Sequence, residues 1–202
     1  IKDYTYAEIY EKARYLGAKQ VPSEHRIVRL DEALEITRAV PQFWIDFKFF
    51  SPEFAEKVLQ TFRDAKIDFS RIMVATFSHD ALMYMQKNYP EIRRICHVSW
   101  RYRPELKAYT GSMRMGVVKT REKVMEHIAG YISRLGLYGV NYPFGNATPE
   151  DVKFLHDNGA KWVSLYFVQD TDQAEKVRSW GMDAFVTDYV TKVRKAYGIT
   201  PE

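Results

Sequence analysis

The strongest constraint on the fold is an alternation repeated six times: a short apolar run of strand character, then a helical pattern. The strand-like runs lie at about residues 43–49, 72–77, 94–99, 137–142, 162–168 and 184–187. Helical patterns follow them at about 51–65, 78–87, 120–134, 148–158, 170–180 and 189–196, and two more precede the first run at 4–16 and 30–38. Ser51, Ser78 and Thr148 offer side-chain oxygens where helices start, and Pro52 and Pro149 occupy the next position, where a missing N–H costs nothing. Asp31 and Glu32 sit in a first turn, where the helix dipole favours acids. Asn158–Gly159 is a stop signal.

Strands that alternate with helices imply a parallel sheet covered by helices. The connections are short and no Gly-, Ser- or Pro-rich linker divides the chain, so residues 1–202 read as one α/β domain. Two architectures fit: an open doubly wound sheet and a TIM-type (β/α)8 barrel. No Gly-rich phosphate loop follows any strand, which argues against the common nucleotide-binding form of the first. In a barrel, active-site groups gather at the C-terminal ends of the strands. The unusual polar residues lie there: Asp46 and Lys48, Thr76 and Ser78, His97 and Ser99, Asn141, and Asp188. Six βα units make only a partial barrel, because closure takes eight.

The run Phe43–Lys48 (FWIDFK) is the most informative local stretch. Side chains alternate along a strand, so Phe43, Ile45 and Phe47 share a wholly apolar face that packs against helices. Trp44, Asp46 and Lys48 share the other face, which turns charged toward the C-terminal end. A carboxylate there suits a hard cation such as Mg2+ or Ca2+, and an ammonium suits a phosphate oxygen as a point charge. The same pair also serves as a rim ion pair that steadies a barrel, and spacing alone does not choose between the two.

Composition narrows the classes. Thirty Lys and Arg stand against 26 Asp and Glu, a net +4, and the basic residues are interspersed with acids, so no nucleic-acid partner is expected. No apolar run approaches the roughly 20 residues of a membrane span. The single cysteine, Cys96, lies in an apolar run, forms no intrachain disulfide and reads as a small buried hydrophobe. A disulfide-free chain is compatible with any compartment.

Three stretches carry a family resemblance. RLDEALEITRAVPQFWIDFK (29–48) resembles the glycerophosphodiester phosphodiesterase pattern of a helix followed by a strand ending in Glu-x-Lys, with Asp46 in place of the glutamate. ATFSHDAL (75–82) is similar to that family's Ser-Phe motif, and YFVQDTDQAEKVRSWGMDAFVTDY (166–189) to its Trp-Thr-Val-Asn-Asp stretch and the Gly-Val-Asp-Gly-Ile-Thr-Asp after it. The resemblance implies a (β/α)8 barrel that hydrolyses glycerophosphodiesters to an alcohol and glycerol 3-phosphate with a divalent cation, Mg2+ or Ca2+. The family's His-Arg-Gly and Glu-x-Asp motifs, on its first two strands, have no counterpart here. The chain is therefore expected to span strands three to eight of an N-terminally truncated barrel, with the activity belonging to the intact protein.

By the same resemblance Asp46 is the metal ligand, Lys48 the catalytic cation, and Phe77 and Tyr166 line the substrate pocket or pack the barrel. His97 is placed in the mouth, as a hydrogen-bonded polar-layer residue within reach of substrate. Asp188 is expected to hold loop structure. His79 reads as an exposed residue at a helix start, and His25, His127 and His156 show no partner spacing. Residues 101–119, rich in Arg, Tyr and Met, read as irregular with one short helix; they either cover the mouth or elaborate the surface. A non-catalytic barrel used for binding, or a phosphodiesterase acting on lysolipids or phosphoinositides, are the alternative functions.

Overall fold

The structure, a computed structural model, describes residues 5, 7–9 and 27–198. Of the helix expected at 4–16 only residues 7–9 are described, and they are helical; His25 lies outside the described residues. In chain order the elements are α1 (Leu30–Ile36), β1 (Phe43–Phe47), α2 (Pro52–Asp64), β2 (Ile72–Thr76), α3 (His79–Asn88) and β3 (Arg93–His97). Then come β4 (Trp100–Arg103), β5 (Ala108–Gly111), β6 (Val117–Val118), α4 (Arg121–Leu135), β7 (Gly139–Pro143), α5 (Pro149–Asp157), β8 (Trp162–Tyr166), α6 (Thr171–Ser179), β9 (Ala184–Phe185) and α7 (Val190–Ala196).

The expected helix starts form. Ser51 Oγ accepts from Phe54 N at 3.1 Å and Ser78 Oγ from Ala81 N at 3.2 Å. Thr148 and Asp151 close a reciprocal capping box, so two otherwise orphaned N–H groups of α5 are satisfied. Gly136 ends α4 at φ +52°, a left-handed geometry that glycine adopts without a steric cost.

Strands β1, β2, β3, β7, β8 and β9 lie side by side in that order, each neighbouring pair parallel. The result is a partial TIM-type α/β barrel of six strands with alternating helices. One face of the sheet meets the helices: Phe43, Phe47, Ile72 and Val74 pack with Leu59 and Phe62 of α2, while Cys96, Val98, Val140 and Leu165 pack with Ile128 and Ile132 of α4. Each such fully buried side chain contributes about 1.5–3 kcal/mol. On the other, inner face Met73, Ala75 and Ile95 form a lower apolar layer with Trp44 and Trp162. Above that layer, toward the C-terminal ends of the strands, the inner face turns polar.

Residues 101–119 depart from the irregular reading. They fold as a small antiparallel sheet, β4–β5–β6, with a single short helical turn at Pro104–Leu106. Tyr109 and Val118 of this sheet pack against the core that contains α4. Among the described residues no helix is long and apolar enough to cross a membrane.

Candidate active site

A cavity of about 1140 Å³ opens at the C-terminal end of the sheet. Its walls include Trp44, Phe77, Tyr166, Phe167 and Phe185, and its polar groups include Asp46, Lys48, His97, Asn141, Ser164 and Asp188. The five residues given site roles from the sequence, Asp46, Lys48, Phe77, His97 and Tyr166, line this one cavity. Of the other polar residues noted at strand ends, Thr76 and Ser78 do not: the buried Thr76 hydroxyl donates to Phe47 O, and Ser78 caps α3.

β1 delivers Asp46 and Lys48 to the mouth as the period-two alternation requires. Lys48 Nζ is 2.6 Å from Asp46 Oδ2, with the lysine side chain 76% exposed and the aspartate 32%. The ammonium is thus tethered at one oxygen and open to solvent elsewhere. Asp46 Oδ1 lies 3.3 Å from Nε2 of His97, whose side chain is only 6% exposed. The approach is within ion-pair distance but lacks the alignment of a hydrogen bond.

His97 sits at the end of β3, as expected, with Cys96 and Val98 turned to the helices. Its Nδ1 is 3.0 Å from Asn141 Nδ2, and Asn141 Oδ1 in turn accepts from Ser164 Oγ at 3.0 Å. His97, Asn141 and Ser164 are in direct register on β3, β7 and β8. All three are buried. Burial pushes the His97 pKa below its ordinary 6.5; the nearby Asp46 charge pulls the other way, and burial prevails, so the ring is neutral near pH 7. Phe77 lies 5.0 Å from the imidazole, centre to centre, Trp44 6.3 Å, and Tyr166 meets it edge-on at 6.4 Å.

Tyr166 donates its hydroxyl to Val98 O at 3.1 Å, and burial pushes its pKa up to about 12, so it is a neutral wall of the cavity. Phe167, next in sequence, adopts φ +66° and is 63% exposed. A bulky side chain in that region is strained, which marks the turn after β8 as one imposed by its surroundings. Asp188 lines the cavity beside Thr187, whose hydroxyl oxygen accepts from Tyr189 N.

Sequence reasoning missed Ser164 and Phe167. Ser164 lies in the middle of an apolar strand, where a serine gives no signal until its partner on β7 is known. His79 differs from its expected exposed role: its Nδ1 is hydrogen-bonded to Tyr131 of α4, and burial lowers its pKa. His127 contacts Met113 O at 3.1 Å and His156 contacts Ala160 O at 3.0 Å, both structural contacts outside the cavity. Cys96 is buried and its thiol is pushed up to about 12, so it is the small hydrophobe its setting implies.

A hard cation takes six to eight oxygen ligands. The described residues bring no group of three or more His, Cys, Asp or Glu together, so they do not by themselves form a metal site.

Comparison with known proteins places this geometry. No curated protein matches the chain in sequence. Among solved structures it resembles a glycerophosphodiester phosphodiesterase described as putative from Galdieria sulphuraria, with a TM-score of 0.69 and 15% identity over 97% of this chain and 71% of that one. A glycerophosphodiester phosphodiesterase from Parabacteroides distasonis gives 0.65 and 15% over 96% and 71%. A phosphodiesterase from Oleispira antarctica, solved with the product sn-glycerol-3-phosphate, gives 0.58 and 17% over 84% of this chain and 60% of that one. At these identities the likeness establishes the fold. The model of the glycerophosphoryl diester phosphodiesterase family matches residues 1–192, and the chain belongs to that family.

Proposed function

We propose that the protein, in its full length, hydrolyses glycerophosphodiesters to an alcohol and glycerol 3-phosphate. The observation that carries this reading is the Asp46–Lys48 pair at the open end of the cavity, with its ammonium exposed. Negative charge grows on the phosphoryl oxygens as a water or an internal hydroxyl attacks. Lys48 meets one of those oxygens as a point charge, and Asp46 holds the ammonium in place before substrate arrives. Phe77 and Tyr166 bound the space for the rest of the diester. Glycerol 3-phosphate in the Oleispira antarctica structure supports the product class.

We further propose that hydrolysis depends on a divalent cation, Mg2+ or Ca2+, with Asp46 as one ligand. When bound, such an ion would withdraw charge from the phosphoryl group. Asp46 supplies one carboxylate to it, and no step assigned here to Lys48, Phe77 or Tyr166 passes through the ion.

The walls of the cavity are largely aromatic and aliphatic. That favours, as a second reading, diesters whose glycerol part carries an apolar acyl chain, such as lysolipids.

The test is release of glycerol 3-phosphate by the full-length protein from glycerophosphocholine and glycerophosphoethanolamine, and of lysophosphatidate from a lysophospholipid, with Mg2+ or Ca2+ and with a chelator. Release from one of them, abolished by the chelator, is expected. No release from any diester with either metal would overturn the reading and favour a binding role.

A further inference from the structure

We infer that the outer face of the small sheet β4–β5–β6 docks the protein on an anionic lipid surface, with the cavity mouth beside it. Charge is the first observation. Residues 100–119 carry five basic side chains, Arg101, Arg103, Lys107, Arg114 and Lys119, against one acid, Glu105. That is a net +4, equal to the net charge of the whole chain, so the rest of the chain is balanced and this excursion holds the entire excess. Among the described residues, the one ion pair these five make is Arg114 with Asp80, at 3.4 Å and exposed on both sides. Their charge is therefore left for an outside partner.

Register is the second. Paired residues of an antiparallel sheet share a face, so Trp100, Tyr109 and Val118 lie on one side and Arg101, Arg103 and Val117 on the other. The first side is seated on the domain. Trp100 is buried against Tyr142, ring centres 5.3 Å apart, and Tyr109 and Val118 pack on the core that contains α4. The second side points away, cationic, with Val117 59% exposed. At the tip between β4 and β5, Leu106 and Lys107 are exposed, and Lys119 Nζ donates to Leu106 O at 3.3 Å.

Position is the third. The excursion leaves β3 at Ser99, a residue of the cavity wall, and Ser99 O accepts from Ser112 N at 2.9 Å, which fixes the sheet at the rim. None of residues 100–119 lines the cavity, so the sheet stands beside the mouth and leaves it open. The loops after β1, β2 and β8 lie at the same end and expose Phe49, Phe77 and Phe167. Exposed aromatic and aliphatic side chains next to cations match a phospholipid surface, with its anionic headgroups over an apolar interior. A nucleic acid offers the charge but no aliphatic phase for Leu106 and Val117.

Only the effect on turnover rests on the hydrolytic reading above; the docking does not. The experiment sediments the full-length protein with vesicles of phosphatidylcholine plus phosphatidylserine and with vesicles of phosphatidylcholine alone. Binding to the first is expected, and its loss at about 1 M NaCl, where the Debye length is about 3 Å. This salt readout uses the unmodified protein and stands even if variants fail to fold. Arg101→Gln/Lys107→Gln/Lys119→Gln is expected to bind about 100-fold more weakly, about fivefold for each charge. Leu106→Ser/Val117→Ser is expected to lose about tenfold. Equal binding to both vesicles, binding to neither, or an undiminished triple variant would overturn the docking. Retention on duplex DNA without vesicle binding would overturn it in favour of a nucleic acid. In turnover, the triple variant is expected to keep hydrolysis of soluble glycerophosphocholine within about twofold and to lose hydrolysis of a lysophospholipid held in anionic vesicles. Vesicle binding by a protein that hydrolyses no diester would overturn the hydrolytic reading and leave the docking standing.

Discussion

Lys48 Nζ lies 2.6 Å from Asp46 Oδ2 while 76% of the lysine side chain faces solvent. An ion pair so exposed is worth less than about 1 kcal/mol, because water screens it and two side chains lose freedom. Lys48→Met should therefore leave the urea unfolding midpoint nearly unchanged. Release of glycerol 3-phosphate should fall about 100-fold or more, the usual loss on removing one group that meets developing charge. A large stability loss would instead make the pair a strut of the sheet.

The opposite holds for Arg121 and Asp151. Their guanidinium–carboxylate pair joins α4 to α5, Asp151 is 5% exposed, and the same carboxylate accepts from Thr148 N at 2.9 Å. Arg121→Met leaves a buried charge unpaired. A cost of about 3–5 kcal/mol is expected in chemical denaturation.

Stability should fall as acid is added, well above the carboxylate range. His97 and His79 both have folded-state pKa values below the ordinary 6.5, chiefly through burial. Above pH 6.5 both rings are neutral in the folded and the unfolded chain. Below it the unfolded chain takes up protons that the folded one refuses, so stability declines as pH falls from 6.5 toward the folded values. Unfolding midpoints between pH 8 and 5 should show this slope in the unmodified protein and a flatter one in His79→Gln/His97→Gln.

Gly139 has no room for a side chain. A Cβ built there would sit 1.8 Å from the carbonyl oxygen of Trp162, its registered partner on β8. Neither strand can give without breaking the ladder, so Gly139→Ala should destabilise by about 3 kcal/mol or more. A thermal melt at pH 7 checks it.

The six-strand alternation, the helix starts and the inward turn of Asp46 were legible because each follows from a local period or cap. FWIDFK alone placed Phe43 and Phe47 on the helix side and Trp44 in the lower layer. The sheet at 100–118 was not legible: its strands are two to four residues long and carry Arg101, Arg103 and Lys107 in or between them, with no apolar run to mark them. Asn141 could be noted as a polar strand end, but its bond to His97 joins residues 44 apart and exists only once β3 and β7 are neighbours. Phe167 gave no warning either, since a phenylalanine does not signal a positive φ.

The central claim is that Asp46 and Lys48 form a phosphodiester-cleaving pair. The most direct measurement is the rate of glycerol 3-phosphate release by the full-length protein and its isosteric Asp46→Asn variant, both verified as folded. A loss of about 100-fold or more on removing that one charge is expected. Equal rates within about twofold, below what one catalytic charge contributes, would contradict the account.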